Sequence, residues 1–300
     1  MKIVVTGSLG HIGKPLTEEL VQKGHDVTVV SSNPKKQRDI EALGATAAIG
    51  ALQDAGFLAN VFTGADAVYT MVPPGNYFDH NLDLLAHYHQ IGQNYAKAIG
   101  QTGVKQVVNL STIGAHLGKG QGSGILIGAH DVEQFLNELP SDVAITHMRP
   151  TSFFYNLYGY VEMIKHQGFI SANYGAEGEI PWVSPIDIAA AIAEELLASR
   201  VGRKIRYVAS DDRTGNDTAT VLGAAIGKPD LKWIIVPGEE VQNALETIGM
   251  NPKIVAGLVE MYGSLYNGVL AEDYLRNKPA VMGKVKLEEF AKEFANAFKQ

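Results

Sequence analysis

Short apolar runs alternate with longer amphipathic stretches through the first half of the chain. The apolar runs predict six strands, at residues 3–5, 27–30, 45–49, 65–72, 106–110 and 143–147. Apolar residues at helical spacing predict a helix after Gly13 and others at 34–43, 54–62, 80–101 and 127–139. This alternation is typical of an α/β Rossmann-type fold, a doubly wound parallel sheet with helices on both faces.

The second half of the chain is less regular. Its pattern predicts helices at 183–197, 218–227, 239–248, 253–270 and 287–298, and strands at 205–209 and 231–236. We therefore expect a dinucleotide-binding domain at residues 1–152 and a smaller, mostly helical lobe at 153–300. Residues 183–210 are expected to pack back on the first sheet.

Three glycines, Gly7, Gly10 and Gly13, stand between the first strand and the first helix. Glycine permits a tight turn and a close approach of the backbone to a ligand. The N-terminus of the following helix offers free N–H groups to a pyrophosphate. The alternative is a glycine-rich turn that holds no ligand, but the position between a strand and a helix favours a dinucleotide site.

The tip of the second strand favours NADP(H) over NAD(H). NAD sites usually place an acidic residue there to hold the ribose 2′-hydroxyl. Here the tip reads Ser31, Ser32 and Asn33, followed by Lys36. No carboxylate would repel a 2′-phosphate, and hydroxyls and a lysine are available to bind one.

Composition excludes several other classes of protein. Acidic residues exceed basic ones by 32 to 25, which gives a net charge of −7 and argues against nucleic-acid binding. The chain has no cysteine, so disulfides and thiolate chemistry are excluded. No metal-binding motif and no membrane-spanning apolar run occur. We expect a cytoplasmic protein without a metal.

Five motifs together resemble a known family. They are T-G-x-x-G-x-x-G at 6–13, M-V-P-P at 71–74, N-L-S-T-I-G-A-H at 109–116, M-R-P-T-S-F-F-Y-N at 148–156 and S-P-I-D-I-A at 184–189. In order and spacing they resemble the NmrA-like group of atypical short-chain dehydrogenases/reductases, and within it the quinone-reductase-like members. Ser32 departs from the arginine that often pairs with the 2′-phosphate in that group.

The resemblance and the strand ends together give a predicted cofactor site. It comprises Gly7, Leu9, Gly10, His11, Ile12, Gly13, Ser31, Ser32, Asn33, Lys36, Met71, Val72, Pro73, Pro74, Ser111, Thr112, Pro150 and Thr151. The resemblance implies that the residues from Gly7 to Ile12 wrap the pyrophosphate. It also implies that Ser111 and Thr112 lie beneath the nicotinamide, with Pro150 and Thr151 beside its carboxamide.

The family's usual proton donor is missing. Members that reduce carbonyls use Y-x-x-x-K, and the corresponding positions here are Ile125 and Ala129. Tyr77 and His116 are the candidate catalytic residues in its place, and His80, His130 and Tyr155 are further candidates. Phe153, Tyr155 and Trp182 are candidates for an aromatic acceptor pocket, with an ordinary hydrophobic core as the equal alternative.

The predicted function is NADPH-dependent hydride transfer to a small quinone-like or aromatic acceptor. The alternative is a non-catalytic NADP(H) sensor of the NmrA type, which would bind a protein partner. A sugar-nucleotide epimerase is a third hypothesis, which the missing Y-x-x-x-K disfavours. The expected partner is a small molecule, with no nucleic acid and no membrane, and the chain is expected to be a monomer or a homodimer.

Overall fold

The computed structural model describes residues 1–199 and 202–300. The strands are β1 (Lys2–Val5), β2 (Asp26–Ser31), β3 (Thr46–Ile49), β4 (Ala67–Thr70), β5 (Gln106–Leu110), β6 (Ala144–Pro150), β7 (Ser152–Phe153), β8 (Ile170–Ala172), β9 (Glu179–Val183), β10 (Arg203–Val208), β11 (Asp211–Thr214) and β12 (Trp233–Ile235). The α-helices are α1 (Gly13–Gln22), α2 (Gln37–Ala42), α3 (Ala55–Phe62), α4 (Leu84–Thr102), α5 (Ile127–Asn137), α6 (Val161–Gln167), α7 (Pro185–Leu197), α8 (Gly215–Ile226), α9 (Gly238–Thr247), α10 (Pro252–Tyr266), α11 (Glu272–Arg276) and α12 (Leu287–Phe298). Short 3-10 helices occupy Pro34–Lys36, Gly124–Leu126 and Phe154–Tyr160.

Seven parallel strands form the central sheet, in the order β10-β6-β5-β4-β1-β2-β3. The order reverses at β1 and β4, so the carboxyl ends of these two strands border the crevice in which such sheets bind ligands. This arrangement confirms the predicted Rossmann-type fold.

Both faces of the sheet are buried. One apolar core packs α1 and α7 on the sheet and contains Leu16, Leu20 and Ile192. The other packs α3, α4 and α5 on the opposite face and contains Phe62 and Tyr95. Burial on both sides explains why the strands have continuous apolar runs rather than alternating ones. Within the described residues, no helix has the length and apolarity to cross a membrane.

Residues after 152 form a second core and also return to the first sheet. The second core gathers Phe154, Trp182, Trp233 and Phe290. Helix α7 packs on α1, and β10 pairs with β6 at the edge of the sheet. The division into domains at residue 152 remains a prediction.

Several element boundaries differ from the predicted ones because capping residues fix them. The helix predicted at 80–101 begins at Leu84, since the Asp83 side chain accepts a hydrogen bond from the Ala86 N–H at 2.9 Å. The helix predicted at 183–197 begins at Pro185, because Ser184 caps it and residue 183 ends β9. The helix predicted at 34–43 opens with a 3-10 turn that Asn33 caps.

Candidate functional site

The loop between β1 and α1 requires two of its three glycines for its own geometry. Gly7 has a φ of +89°, and a Cβ there would lie 2.6 Å from the Met71 sulfur. A Cβ on Gly13 would lie 2.1 Å from the carbonyl oxygen of Ser8. Ser8 itself has a φ of +58°, in the left-handed region. The loop is therefore tightly wound against β4 and the start of α1.

Gly10 is different, because the fold does not require it. A Cβ there would meet only the carbonyl oxygen of Gly7, at an ordinary 3.6 Å. The residue is exposed, and no side chain caps the first turn of α1. The bare backbone at Gly10 and the uncapped N–H groups beside it fit a diphosphate group. The predicted roles of Leu9, His11 and Ile12 in the same contact remain predictions.

Thr6 joins the glycine loop to the end of β4. Its Oγ1 accepts a hydrogen bond from the Met71 N–H at 3.1 Å. The Tyr95 hydroxyl lies 2.7 Å from the Met71 carbonyl oxygen and 3.1 Å from Thr6 Oγ1. Further along, the His87 Nε2 lies 3.0 Å from the Pro73 carbonyl oxygen. Helix α4 thus supports residues 71–74, the predicted wall of the cofactor site.

The tip of β2 has one buried hydroxyl and several exposed polar groups. The Ser31 Oγ accepts hydrogen bonds from the Ser8 hydroxyl at 3.0 Å and from the Asn33 N–H at 3.2 Å. Ser31 therefore connects this tip to the glycine loop, while Ser32 and Asn33 are exposed. The Lys36 ammonium lies 3.1 Å from Asp39. Within the described residues, Lys35 makes no ion pair.

The ends of β5 and β6 carry a buried polar network. The Ser111 hydroxyl donates to Glu133 at 2.5 Å, and Arg149 forms an ion pair with Glu133 at 2.7 Å. Arg149 also pairs with Asp273 of α11 at 3.0 Å. The Glu133 carboxylate thus holds the side chain of Ser111, which is predicted to lie beneath the nicotinamide. The Pro150 carbonyl accepts the Ile113 N–H at 2.8 Å.

Two buried hydroxyls near this edge have no hydrogen-bond partner among the described residues. They belong to Thr151, which directly follows β6, and to Tyr69 of β4. Buried hydroxyls normally find a partner, because leaving one unpaired costs about 1–3 kcal/mol. An orphaned hydroxyl at Thr151, which was predicted to border the carboxamide, fits a polar ligand group at that point.

The Tyr77 phenol interacts electrostatically with those of Tyr88, Tyr155 and Tyr262, and we call these four residues the tyrosine cluster. Tyr262 also stacks on Tyr174 of the second core, at 4.7 Å between ring centres. Burial raises the pKa of Tyr155 to about 12, and the nearby Tyr77 phenol adds to the rise. The Tyr77 phenol acts in the same sense on the pKa values of Tyr88 and Tyr262, which burial also raises. All four side chains are therefore neutral O–H donors at physiological pH.

An aromatic stack connects the tyrosine cluster to the glycine loop. The Tyr155 ring lies 4.9 Å from the His11 ring and 5.0 Å from the Phe153 ring, nearly parallel to both. The predicted cofactor residue His11 and the predicted acceptor residues Phe153 and Tyr155 thus lie side by side.

A cleft of about 200 Å³ opens at the other side of the cluster. The segment before α4, the start of α5 and the start of α10 form its walls. Its apolar lining consists of Leu82, Leu85, Tyr88, Ile125, Ile127 and Ile254. Ile125, which is predicted to stand in the position of the family's tyrosine, lines this mostly apolar space, and Tyr88 belongs to both the cleft and the cluster.

Two other predicted site residues do not line this cleft. Trp182 is 1% exposed, stacks on Phe154 and donates its indole N–H to Thr218 at 3.2 Å. It is part of the second core, which argues against the predicted contact with an acceptor. His116 lies near Arg149 and Asp273, and burial lowers its pKa. Neither of its ring nitrogens has a partner among the described residues.

Helical spacing alone does not indicate that Tyr88 and Tyr262 lie near Tyr77. Both stand at helical spacing, Tyr88 in α4 and Tyr262 in α10, and read as ordinary core positions. Only the packing of the two helices brings them near Tyr77.

Known proteins resemble this chain over nearly its full length. The model of a family described as NAD(P)H-binding matches residues 7–199. An NAD(P)H azoreductase of Xenophilus azovorans is 27% identical over 300 residues, covering 99% of both chains. An NADPH-dependent quinone oxidoreductase of Escherichia coli, solved with NADPH, has a TM-score of 0.82 at 19% identity, covering 97% of this chain and 99% of that one. A triphenylmethane reductase of Citrobacter sp., solved with NADP(H), has a TM-score of 0.75 at 19% identity, covering 98% and 99%.

Proposed function

The chain belongs to the NAD(P)H-binding family, and on that premise we propose that it is an NADPH-dependent oxidoreductase whose acceptor is a small planar aromatic compound of the quinone class. The observation that carries this proposal is the position of the tyrosine cluster, between the glycine loop and an apolar cleft. One end of the cluster stacks on His11, and the other lines the cleft through Tyr88. An acceptor in the cleft would lie next to a dinucleotide held by the loop.

The proposed cofactor site uses residues from five strand ends, those of β1, β2, β4, β5 and β6. The backbone at Gly10 and the first turn of α1 would hold the diphosphate, and the Thr151 hydroxyl would meet the carboxamide. A reduced nicotinamide, when bound, supplies a hydride. The chain's own residues hold the two reactants in contact and keep water away from them.

The acceptor site needs little acid catalysis for a quinone-like compound. The cleft supplies apolar walls and the Tyr88 ring, which can stack on a planar aromatic molecule. The Tyr77 phenol, protonated at neutral pH, would donate a hydrogen bond to an acceptor oxygen and then the proton that accompanies the hydride. At about 200 Å³ the cleft favours one or two fused rings.

The preference for NADPH is supported by the basic groups after β2. Lys35 and Arg38 line one surface depression beside the strand tip and make no ion pair within the described chain. No acidic residue stands at the tip itself. We expect Arg38→Ala to weaken NADPH binding about tenfold and to leave NADH binding unchanged, because only NADPH carries the 2′-phosphate. Calorimetric titration of NADPH and of NADH into wild type and Arg38→Ala measures the four dissociation constants.

The central experiment combines binding and turnover. NADPH is titrated calorimetrically into the purified protein, and its oxidation is then followed with benzoquinone, naphthoquinone and menadione. We expect NADPH binding and turnover with at least one quinone. Binding without turnover on any of them would refute the oxidoreductase and leave the sensor hypothesis.

A cleft-filling variant locates the acceptor. Leu85→Trp should raise the acceptor KM about tenfold, because the indole occupies the space between α4 and α10, and should leave the NADPH Kd unchanged. Leu275→Trp is the matched control, since Leu275 lies on α11 with 58% of its surface exposed. Equal kinetics in the two variants would place the acceptor outside this cleft.

A further inference from the structure

Hydrogen bonds from one buried residue, Asn251, join the segment that carries Tyr77 to the start of α10. Residues 76–83 are the last part of the connection between β4 and α4, and they contribute Tyr77 to the cluster and Leu82 to the cleft. Asn251, at the start of α10, is 2% exposed and lies against this segment. Its backbone N–H donates to the Tyr77 carbonyl oxygen at 2.8 Å.

Both polar atoms of the Asn251 side-chain amide make hydrogen bonds. Its Nδ2 donates to the carbonyl oxygens of Asp79 at 3.0 Å and of Leu82 at 3.4 Å. Its Oδ1 accepts the Lys253 N–H at 3.0 Å and so caps α10. One amide therefore joins the helix that forms one wall of the cleft to the segment that forms the opposite wall.

Burial makes this connection costly to break. If residues 76–83 moved away, the two amide N–H groups would lose their partners in a buried site. A second contact, between the His80 Nε2 and the Gly249 carbonyl oxygen at 3.1 Å, lies at the surface, where water can replace it. The side-chain bonds to Asp79 and Leu82 thus add to the backbone bond that Asn251 makes to Tyr77 in fixing this segment.

We infer that Asn251 is a positioning residue, which fixes the 76–83 segment so that Tyr77 reaches the tyrosine cluster and Leu82 closes the acceptor cleft. The kinetic part of this inference rests on the proposed oxidoreductase function. The structural part rests on the hydrogen bonds alone and is measured separately.

The sharpest variant is Asn251→Asp. It keeps the shape of the side chain and the acceptor that caps α10, but it replaces the Nδ2 donor by a carboxylate oxygen facing two carbonyl oxygens. We expect the acceptor KM to rise or kcat to fall by about tenfold, with an NADPH Kd within about twofold of wild type. Asn251→Ser removes the same donor without adding charge and should show the same effect.

Asn267→Asp is the matched control. The Asn267 side chain accepts the Val269 N–H at 3.1 Å at the surface of the same lobe, so the variant adds the same charge and keeps that bond. Wild-type kinetics are expected for this control.

Hydrogen exchange gives the readout that does not depend on turnover. In Asn251→Asp the amides of residues 77–83 should exchange at least about tenfold faster than in wild type, while those of α10 beyond its first turn stay unchanged. Unchanged exchange in residues 77–83 would overturn the inference, and so would faster exchange with wild-type KM and kcat. If wild type turns over no acceptor, the proposed function fails, and the exchange experiment still decides whether Asn251 holds the segment.

Discussion

Substitution can separate the structural role of Gly13 from the diphosphate contact that we propose for Gly10. Gly13→Ala should destabilise the fold, because its Cβ would lie 2.1 Å from the Ser8 carbonyl oxygen. Gly10→Ala should leave the melting temperature unchanged and weaken NADPH binding at least about tenfold, because its methyl group occupies only the space over the diphosphate site.

A control for Gly10→Ala is available in the second lobe. Gly159 is exposed, and a Cβ there would meet nothing within 4 Å. Gly159→Ala should bind NADPH like wild type. If Gly10→Ala also bound it normally, the diphosphate would have to lie elsewhere than on this loop.

The tyrosine cluster makes a prediction about pH. Burial raises the pKa of Tyr77 above its ordinary value of 10 and that of Tyr155 to about 12. Both phenols therefore stay protonated from pH 6 to about pH 9, and quinone reduction should show no alkaline decline in that range from their titration. A decline with an apparent pKa near 8 would indicate a different acid, because neither phenol ionises there.

Tyr77→Phe tests the phenol itself. The variant keeps the ring and loses the O–H, so we expect kcat to fall about tenfold or more while the NADPH Kd stays unchanged. Tyr266→Phe is the control, since 56% of the Tyr266 surface is exposed at the end of α10. An equal kcat in Tyr77→Phe and wild type would remove Tyr77 from the reaction.

At the scale of elements, the parts predicted best are those whose signal is local. Helix α12 was predicted at 287–298 and β5 at 106–110, with the bounds that the structure has. A strongly amphipathic helix and a buried strand carry their pattern within one window of sequence. The glycine loop was predictable for the same reason, because its strand, turn and helix are consecutive.

The short strands that the sequence does not predict are defined only by their pairing with other strands. Strand β7 has two residues and is defined by its pairing with Trp182 and Val183. Strand β8 pairs with β12, more than 60 residues later. No periodicity in so short a stretch distinguishes a strand from a loop. The site shows the same limit, because a core tryptophan and a pocket tryptophan look alike in sequence. The sequence therefore left both alternatives open for Trp182, and the structure places it in the second core.

Helix α5, strand β6 and helix α11 are joined by the buried ion pairs of Arg149 with Glu133 and Asp273. Arg149→Met should reduce the free energy of unfolding by about 3–5 kcal/mol, because it leaves the buried Glu133 carboxylate without its cation. Urea denaturation measures the loss. Arg276→Met is the control on α11, since the Arg276 side chain is 70% exposed, and it should cost less than about 1 kcal/mol.

At the scale of the whole molecule, the packing of the second lobe on the sheet makes the free energy of unfolding depend on pH. The segment after β5 carries His116 into the region between Arg149 and α11, and burial lowers the pKa of His116 below its ordinary 6.5. Burial within the sheet also lowers the pKa of His147. Between the lowered values and 6.5, the unfolded chain binds more protons than the folded one, so stability must fall as the pH drops through that window.

His116→Leu isolates one part of this acid dependence. It removes a buried group that titrates and whose ring nitrogens have no partner among the described residues. We expect the variant to lose less unfolding free energy than wild type between about pH 7 and pH 5. The slope that remains comes from His147 and from other groups whose pKa is lowered in the folded chain, such as His25. His166→Leu, at a side chain 78% exposed, should follow the wild-type curve. An equal slope in His116→Leu and wild type would mean that folding does not lower the pKa of His116. Water would then have to reach its imidazole in the folded state.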